Sequence, residues 1–369
     1  MDCQKEKNCC GCMACKEVCI AGSICIKINK WGNYIRIIDV KKCKHCGRCE
    51  AVCPLNGCNS LSIPRKAYIA WSKKKEKRSS SGGIAGSIYR YCLSNRIACV
   101  GVRYDDDFSV KYDFVDSVRD IEKFEGSKYV YSHMRIYRNI LLKLKRREKV
   151  VFIGLPCHVA ALRNLAGGND DLICIDLVCH GVAPEKFLAE HMSRIFKKLK
   201  NEKVTSIDFR EEKNPFGITV RGEKNEILMR RPRWLDEYHL GYGNGITYCE
   251  ACYSCKYARK ERCADFTIKD FSGELPRGKR IPRESKLSNI LVNTDRGERF
   301  ITEMKPYWEL INDSVDRVIA SDAMLRRPTP RGKRKWFVRL YPFLGFDNTI
   351  RILCFDTIIK GWIKNMVGN

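Results

Sequence analysis

The 369-residue sequence lacks any long apolar run. Its first residues, MDCQKEKNCC, have no apolar core of a secretory signal, and no later run reaches the ~18 apolar residues of a membrane span. We therefore expect a cytoplasmic protein. The chain also lacks a helix-turn-helix, a zinc finger or another recognised nucleic-acid-binding module, so we expect no nucleic-acid partner.

Acidic residues are few compared with basic ones. There are 43 Asp and Glu against 69 Lys and Arg, which gives a net charge of +26, while 44% hydrophobic and 30% charged residues exclude a disordered chain. Between Arg326 and Arg339 there are seven basic residues and no acid. This basic C-terminal tail is expected to suit a membrane surface or an acidic electron carrier, and a solvated face over a packed helix is the alternative.

Cysteine, in contrast, is abundant. Twelve of the 22 cysteines fall in the first 58 residues, and in a reducing compartment such clusters are more often metal ligands than disulfides. The spacing C-x2-C-x2-C-x3-C occurs twice, 34 residues apart, which is the pattern of bacterial two-cluster ferredoxins. The first repeat is Cys9, Cys12, Cys15 and Cys19, and the second repeat is Cys43, Cys46, Cys49 and Cys53.

In this pattern the fourth cysteine of each repeat binds the other cluster. We therefore expect one [4Fe–4S] cluster on Cys9, Cys12, Cys15 and Cys53, and a second on Cys43, Cys46, Cys49 and Cys19. Structural zinc is the weaker alternative, because it typically uses separated C-x2-C pairs. Four cysteines outside the pattern are expected to be packing or surface residues, namely Cys3, Cys10, Cys25 and Cys58.

A third group, Cys249, Cys252 and Cys255, again has the spacing C-x2-C-x2-C. It supplies three corners of another cubane, but its spacing does not determine the fourth ligand. The candidates are Cys157, Cys179 and Cys263. Zinc is a stronger alternative here, because a triplet and one remote cysteine also complete a tetrahedral site.

Alternating strand and helix patterns predict an α/β fold, α+β overall. We expect a ferredoxin-type domain over 1–62, a linker over 63–78, a mixed α/β domain over 79–298 and a helical basic region over 299–369. Two apolar strands end in Cys-His pairs, Cys157 with His158 and Cys179 with His180. Open α/β sheets bind ligands at such strand ends, so both pairs are expected in one site.

We expect these pairs to serve in cluster ligation or in proton supply. In the second case His158 and His180 would supply protons to a reduced cofactor. Buried packing and a Cys-His nucleophile are the alternatives. A cysteine nucleophile would leave the eight ferredoxin-type cysteines unexplained.

Five sequence blocks, in order along the chain, extend this interpretation. They are SSSGGIAGSI, FEGSKYVYS, FIGLPCHVAALRN, IDLVCHGVAP and CYSCKYARKERCADFTIKDF. With these blocks the sequence resembles the coenzyme F-420 (deazaflavin) hydrogenase/dehydrogenase beta-subunit family, with an added N-terminal ferredoxin module. The resemblance implies a flavin-containing iron–sulfur oxidoreductase that passes electrons between clusters and bound FAD.

Two segments are candidates for holding that FAD. The residues Ser79, Ser80, Ser81, Gly82 and Gly83 open a helix, where backbone amides and hydroxyls can bind a phosphate. Without the resemblance, an ordinary Ser/Gly linker would be the better interpretation. The second segment is Gly126, Ser127, Lys128 and Tyr129, from which a cation and a stacking ring are expected; a solvated surface lysine is the alternative for Lys128.

The sequence departs from the family pattern at one place. Where the family commonly has T-I-G-D-F-W-G, this chain has a lysine for the glycine, Lys269, and a serine for the tryptophan, Ser272. We expect electrons to pass from the ferredoxin-type clusters through a third cluster to FAD and a two-electron acceptor, or in reverse. The acceptor would be a small-molecule substrate, in a polysaccharide-related pathway by the family's common gene setting. The alternative is a non-catalytic electron-transfer subunit that serves a partner enzyme.

Overall fold

A computed structural model describes residues 9–58, 61–74, 78–105, 107–200, 202–211, 214, 216–275, 281 and 286–367. The strands in these residues are β1 (Ile24–Ile28), β2 (Tyr34–Ile38), β3 (Lys66–Ser72), β4 (Ala98–Tyr104), β5 (Val110–Phe114), β6 (Val150–Gly154), β7 (Leu172–Leu177), β8 (Val204–Asp208), β9 (Ile218–Gly222), β10 (Ile227–Arg231), β11 (Phe266–Asp270), β12 (Ser288–Val292) and β13 (Trp308–Asp313).

The α-helices in the same residues are α1 (Ala14–Glu17), α2 (Arg48–Ala51), α3 (Ile84–Ser94), α4 (Ile121–Phe124), α5 (Tyr137–Lys145), α6 (Pro156–Ala166), α7 (Glu185–Leu199), α8 (Glu237–Gly243), α9 (Asp295–Met304), α10 (Val315–Ala320), α11 (Arg334–Leu353) and α12 (Phe355–Val367). Short 3-10 helices span Val118–Asp120, Glu250–Ser254 and Ala323–Leu325.

The N-terminal unit is built around an antiparallel hairpin. Strands β1 and β2 pair with Ile24 opposite Ile38, and this hairpin joins the two cysteine repeats. Helix α1 belongs to the first repeat and α2 to the second, each a single turn, and the two helices pack against each other. The short chain between the repeats therefore brings both sets of cysteines to one end of the unit.

The main body is a mixed sheet in the order β13-β3-β12-β11-β7-β6-β4-β5. Strands β4, β6, β7 and β11 are parallel, and the outer strands are antiparallel to their neighbours. Every residue of β6 is buried. Because successive side chains point to opposite faces, Phe152 packs with α5 and α6 while Ile153 packs with α3 and α9.

A second layer covers one side of this body. It consists of the antiparallel sheet β8-β9-β10 and the helices α7, α8 and α11. Phe187, Tyr238, Phe337, Phe346 and Ile350 form its buried centre. In the described part of the chain, no helix is long and apolar enough to cross a membrane.

The mixed α/β fold predicted from the sequence is confirmed. The prediction that 63–78 is a linker is wrong. This segment contains β3, which pairs with β12 and β13 inside the main sheet. The region 299–369 supplies β13 to that sheet before its helices begin. Both partners of β3 lie more than 200 residues away in the sequence, so nothing near 63–78 indicates the pairing.

Candidate functional site

The two cysteine repeats have the same local backbone. The amides of Gly11 and His45 donate hydrogen bonds to the thiols of Cys9 and Cys43, at 3.4 Å in each repeat. Both amides belong to residues with left-handed backbone (φ 71° and 49°), and the residues two positions further on are also left-handed (φ 66° and 71°). Each repeat is thus a loop that turns its amides toward sulfur, as hydrogen bonds to cluster sulfurs require.

The fourth cysteine of each repeat lies beyond the helical turn. The Ser23 hydroxyl lies 3.1 Å from the Cys19 thiol, and this hydrogen bond lowers the pKa of Cys19. Burial raises the pKa of Cys53, and the charge of the nearby Cys10 adds to that shift. The crossed assignment of Cys19 and Cys53 stays a prediction. Cys3 lies outside the described residues.

The third cysteine group surrounds a cavity at the edge of the main sheet. Cys249, Cys252 and Cys255 flank the 3-10 helix at 250–254. Cys157 lies in the first turn of α6 directly after β6, and Cys179 follows β7. All five line one cavity, joined by a sixth cysteine, Cys10. The structure therefore brings the triplet and both strand-end cysteines together.

Cys10 is the functional candidate that the sequence did not indicate. It was expected to be a packing or surface residue, yet its thiol is hydrogen-bonded to both Cys12 and Cys157. These bonds hold the pKa of Cys10 well below its usual value, and the nearby His158 acts in the same direction. Cys10 therefore connects the first repeat with the cavity. The only signal in the sequence is its position beside Cys9.

Cys263, the local candidate for the fourth ligand, lies elsewhere. Its thiol donates a hydrogen bond to the Pro156 carbonyl at 3.2 Å and is hydrogen-bonded to Cys58. Cys263 is buried and is not among the residues that line the cavity. The geometry therefore favours a remote ligand for the third group.

Both strand-end histidines also line the cavity, but in different surroundings. His158 is only 1% exposed, with Nδ1 3.0 Å from the Tyr112 hydroxyl, and burial lowers its pKa to about 4. It is therefore a neutral imidazole at neutral pH. His180 is exposed, and its Nε2 lies 3.4 Å from an oxygen of Asp322.

The two predicted flavin segments are hydrogen-bonded to each other. The amide and the hydroxyl of Ser127 both lie 3.0 Å from the Ser80 hydroxyl. The Ser81 hydroxyl lies 3.1 Å from that of Ser288, and the Gly82 amide donates to the same Ser288 oxygen. Ser79 donates to the Ser81 carbonyl within the turn. Helix α3 begins directly afterwards.

Gly83 is the N-cap of α3, with a left-handed backbone (φ 75°) and no side chain to cap the helix. The first amides of α3 are therefore not capped by the N-cap side chain and remain suited to an anion. Lys286, whose Nζ donates to the Ser79 carbonyl at 2.8 Å, adds positive charge next to the turn.

Lys128 does not present the free cation that was expected. Its Nζ donates to the carbonyls of Phe124, Glu125 and Gly126, because the loop curls around the ammonium. Burial lowers the pKa of Lys128 to about 7, and the Arg78 charge adds to that shift. The Lys128 ammonium therefore stabilises the loop that contains it through these hydrogen bonds.

Tyr129, from which a ring stacked on the cofactor was expected, is stacked on Tyr242. The two ring centres are 4.6 Å apart and the ring planes are inclined by 29°. A cofactor would therefore have to use the other face or the edge of the Tyr129 ring.

The two departures from the family pattern touch each other. The Lys269 ammonium donates to the Ser272 hydroxyl at 2.7 Å and to the Ser321 hydroxyl at 3.2 Å. Burial lowers the pKa of Lys269. The lysine and the serine thus form one polar contact at the end of β11, which ties this strand to the residues that follow α10.

Two family models match consecutive parts of the chain. The coenzyme F420 hydrogenase/dehydrogenase beta subunit N-term model matches residues 67–136, and the model of its C terminus matches residues 147–313. The chain belongs to this beta-subunit family. A 4Fe-4S binding domain model matches residues 36–57, which contain the second cysteine repeat. The family resemblance is thereby confirmed, and the protein is an iron–sulfur relative of oxidoreductase subunits.

Individual relatives are distant. An F(420)H(2) dehydrogenase subunit of Methanosarcina mazei is 21% identical over 326 residues, 83% of this chain and 84% of that protein. The coenzyme F420-dependent sulfite reductase of Methanocaldococcus jannaschii is 24% identical over 311 residues, 79% of this chain. The match spans only 45% of the length of that reductase.

Among solved structures, a chain of the F420-reducing [NiFe] hydrogenase complex from Methanosarcina barkeri is similar. The two chains superpose with a TM-score of 0.44 at 18% sequence identity, over 68% of this chain and 83% of that chain.

Proposed function

We propose that the protein passes electrons between two ferredoxin-type [4Fe–4S] clusters, a third [4Fe–4S] cluster and FAD, and from there to or from a two-electron partner. The observation that carries this proposal is the cavity where six cysteines meet, among them Cys10, which lies between Cys9 and Cys12 of the first repeat. One cluster region therefore directly adjoins the next. Bound FAD would supply the exchange between one-electron and two-electron steps.

For the third cluster we propose Cys249, Cys252, Cys255 and Cys179 as ligands. Burial raises the pKa of Cys252, and the charges of Cys249, Cys179 and Cys255 add to that shift, so Cys252 lies near each of the other three thiols. Cys157 also lies near Cys255 and Cys179, but its hydrogen bond is to Cys10. Four cysteine thiols, of which Cys249 is buried and the other three are partly buried, fit a cubane. Burial disfavours free thiolates, whereas cluster irons bind and stabilise them.

Sulfur spacing supports iron over zinc. Zinc bound by tetrahedral thiolates at ~2.3 Å requires sulfurs about 3.8 Å apart. In the residues that the structure describes, the group of three potential ligands with all atoms within 4.8 Å is His191, Glu237 and Asp347, which contains no cysteine. No three cysteine sulfurs of the cavity are thus as close together as tetrahedral zinc would need, although Cys10 and Cys157 are hydrogen-bonded to each other.

For FAD we propose the turn at 79–83 as the phosphate site, with the segment 126–129 beside it. The uncapped start of α3, the hydroxyls of Ser80, Ser81 and Ser127, and the charge of Lys286 support an anionic group there. Lys128 shapes the loop without supplying a ligand. His158 and His180, on the cavity wall, are the candidates to hold or deliver a proton.

The relative from Methanosarcina mazei is named as a dehydrogenase subunit, which supports a protein redox partner for this chain. The second candidate function, a non-catalytic subunit that serves a partner enzyme, rests on the same observation. The isolated, reduced chain distinguishes the two, because only an enzyme oxidises or reduces a small molecule unaided. The substrate class and the polysaccharide-related pathway stay predictions.

The test uses the full chain, purified and reconstituted without oxygen, since a deletion through residue 72 would remove β3. Three cubanes require about twelve irons. Cys179→Ala is expected to lose about four irons and one low-temperature electron paramagnetic resonance signal, while Cys263→Ala retains both. Loss of these irons and of this signal in Cys263→Ala alone would refute the proposed third cluster. Zinc in place of iron would refute it as well.

Flavin content is tested separately. In Ser80→Asp, the new carboxylate should repel a phosphate and lower the flavin extracted per chain at unchanged iron content. Ser314→Asp is the matched control, because Ser314 caps α10 and Asp is also a good N-cap. Equal flavin in both variants and the parent chain, or no flavin in any of them, would contradict the FAD site.

A further inference from the structure

The C-terminal helices form a compact hairpin. Helix α11 is bent at Gly345, whose backbone is left-handed (φ 71°), and the chain then returns toward its start. Lys333, just before α11, donates to the Leu353 carbonyl and lies 3.4 Å from a carboxylate oxygen of Asp356. We call residues 333–367 the C-terminal hairpin. Its inner side contributes Phe337, Phe346 and Ile350 to the buried centre of the second layer.

The outer side of the C-terminal hairpin is apolar. Its exposed large hydrophobic residues are Trp336, Phe343, Leu344, Ile352, Phe355, Ile359, Trp362, Ile363 and Met366. Phe343 is 86% exposed and Met366 is 72% exposed. So many large exposed apolar side chains within one short segment are unusual on a protein surrounded only by water.

The exposed residues of α12 share one face of the helix. Positions 355, 359, 362, 363 and 366 recur at helical spacing, so their side chains form a single stripe. Gly361 lies outside this stripe and packs on the Trp234 ring, where a Cβ would come within 2.6 Å of that ring. Helix α12 is therefore attached through Gly361 and Ile358, with Trp362 in edge contact with the Trp234 ring, and the rest of its apolar stripe is turned to solvent.

The segment that carries this surface is itself strongly basic. Residues 326–367 contain ten Lys and Arg but only two acids, and both acids are already paired. Asp347 binds His191 and Arg194, and Asp356 binds Lys333. Arg331 and Arg351 are paired with Glu250 and Glu237, and Arg334 is buried. Four other cations border the apolar residues: Lys335 and Arg339 lie 5.8 and 5.3 Å from the Trp336 ring, and Lys360 and Lys364 lie on α12.

We propose that the C-terminal hairpin docks on an anionic lipid surface. Its Trp, Phe and Ile side chains enter the headgroup boundary, and the bordering Lys and Arg bind lipid phosphates. A second copy of the chain would place like charges against each other. Since the described residues contain no spanning helix, the contact lies on the membrane surface and does not cross it.

The test is co-sedimentation of the full chain with vesicles of phosphatidylcholine, with and without phosphatidylglycerol. We expect binding only to the anionic vesicles, weakened at high salt. Each lysine near such a surface contributes about fivefold in affinity, so Lys360→Glu combined with Lys364→Glu should weaken binding by more than about 25-fold. The matched control is Lys145→Glu combined with Lys149→Glu, which alters net charge equally at the end of α5 and the start of β6.

The apolar contribution needs its own pair of variants. Ile363→Ser combined with Met366→Ser should weaken binding about tenfold or more, because two large side chains leave the lipid. The control is Ile63→Ser combined with Val118→Ser, two residues that are 58% exposed elsewhere. Iron and flavin content should be unchanged in all four variants, which verifies that they are folded.

Three results would overturn the proposal. The first is equal binding to neutral and anionic vesicles or binding to neither, which would exclude an anionic lipid surface as the partner. The second is an equal loss in the control variants, which would mean that the overall charge attracts the lipid. The third is a native mass of two chains that falls to one chain in the Ile363→Ser and Met366→Ser variant, which would identify a second copy as the partner.

Discussion

The two cysteine repeats have the same loop but different surroundings. Their matching N–H···S hydrogen bonds and left-handed residues show that the local sequence is sufficient to build each loop. In the first repeat Cys12 and Cys15 are buried, whereas in the second Cys46 is exposed. Helix α1 packs on α5 and α6 of the main body, which accounts for the burial of the first repeat.

This difference gives the two repeats different places in the proposed electron path. The first repeat adjoins the cavity of the third group through the Cys10–Cys157 contact. The second repeat is open to solvent on the side of Cys46. We therefore propose that the second cluster meets the redox partner and the first passes electrons to the interior. Three pairs of variants test this comparison.

The largest effect is expected from the crossed fourth ligands. Cys53→Ala should remove the cluster of the first repeat and Cys19→Ala that of the second, because in the predicted crossed arrangement each fourth cysteine binds the opposite cubane. Each variant is expected to lose about four irons and one of two distinguishable electron paramagnetic resonance signals. If Cys53→Ala instead removes the signal that Cys43→Ala also removes, ligation is not crossed and each repeat holds its own cluster.

The second pair compares matching loop glycines. Gly11 and Gly47 both have φ 71°, so alanine costs each about 1–2 kcal/mol in backbone strain. A Cβ at Gly11 would also lie 2.8 Å from the Tyr131 ring, while at Gly47 nothing lies within 4 Å. We expect Gly11→Ala to destabilise the protein by about 2–4 kcal/mol and Gly47→Ala by about 1–2 kcal/mol.

The measurement for this pair is the thermal midpoint of the iron-loaded protein together with the rate of iron release to a chelator. His45→Ala is a further control, because position 45 already holds a non-glycine residue with a left-handed backbone. Equal losses in Gly11→Ala and Gly47→Ala would show that the first repeat does not pack against the main body as tightly as the structure has it.

Ligand spacing made the clusters predictable, because three corners of a cubane need cysteines that are near in sequence. The joint site of Cys157 and Cys179 was also predictable, since neighbouring parallel strands end at one sheet edge. Cys10 was not predictable: its role depends on a contact with Cys157, which is 147 residues away. The same holds for β3, whose partners β12 and β13 lie far along the chain.

The orientation of the Lys128 side chain was not predictable for a different reason. A lysine in a glycine-containing loop can point toward a ligand or back to its own backbone. The sequence does not decide between these, because the choice depends on how tightly the loop closes. Here three carbonyls surround the ammonium, and burial favours its neutral form by lowering the pKa to about 7.

The smallest effect is expected from the two tyrosines that fasten the repeats. Tyr131 donates a hydrogen bond to the Gly11 carbonyl of the first repeat, and Tyr257 donates one to the Pro54 carbonyl beside the second. Replacement by phenylalanine keeps the ring and removes only the hydroxyl, which leaves a buried carbonyl unpaired. Each change should therefore destabilise its own repeat by about 1–2 kcal/mol.

Cluster-resolved iron release measures this difference, with the two electron paramagnetic resonance signals followed during exposure to a chelator. Tyr131→Phe should accelerate loss of the first-repeat signal several-fold and leave the second unchanged. Tyr257→Phe should also accelerate loss of the first-repeat signal, because Pro54 directly follows Cys53, the expected fourth ligand of that cluster. Tyr91→Phe is the control, because its hydroxyl donates to exposed Glu303 on α9, far along the chain from both repeats. If either variant accelerates the loss of both signals equally, the two repeats open as one unit. In that case the different burial of the two repeats does not give their clusters different stabilities.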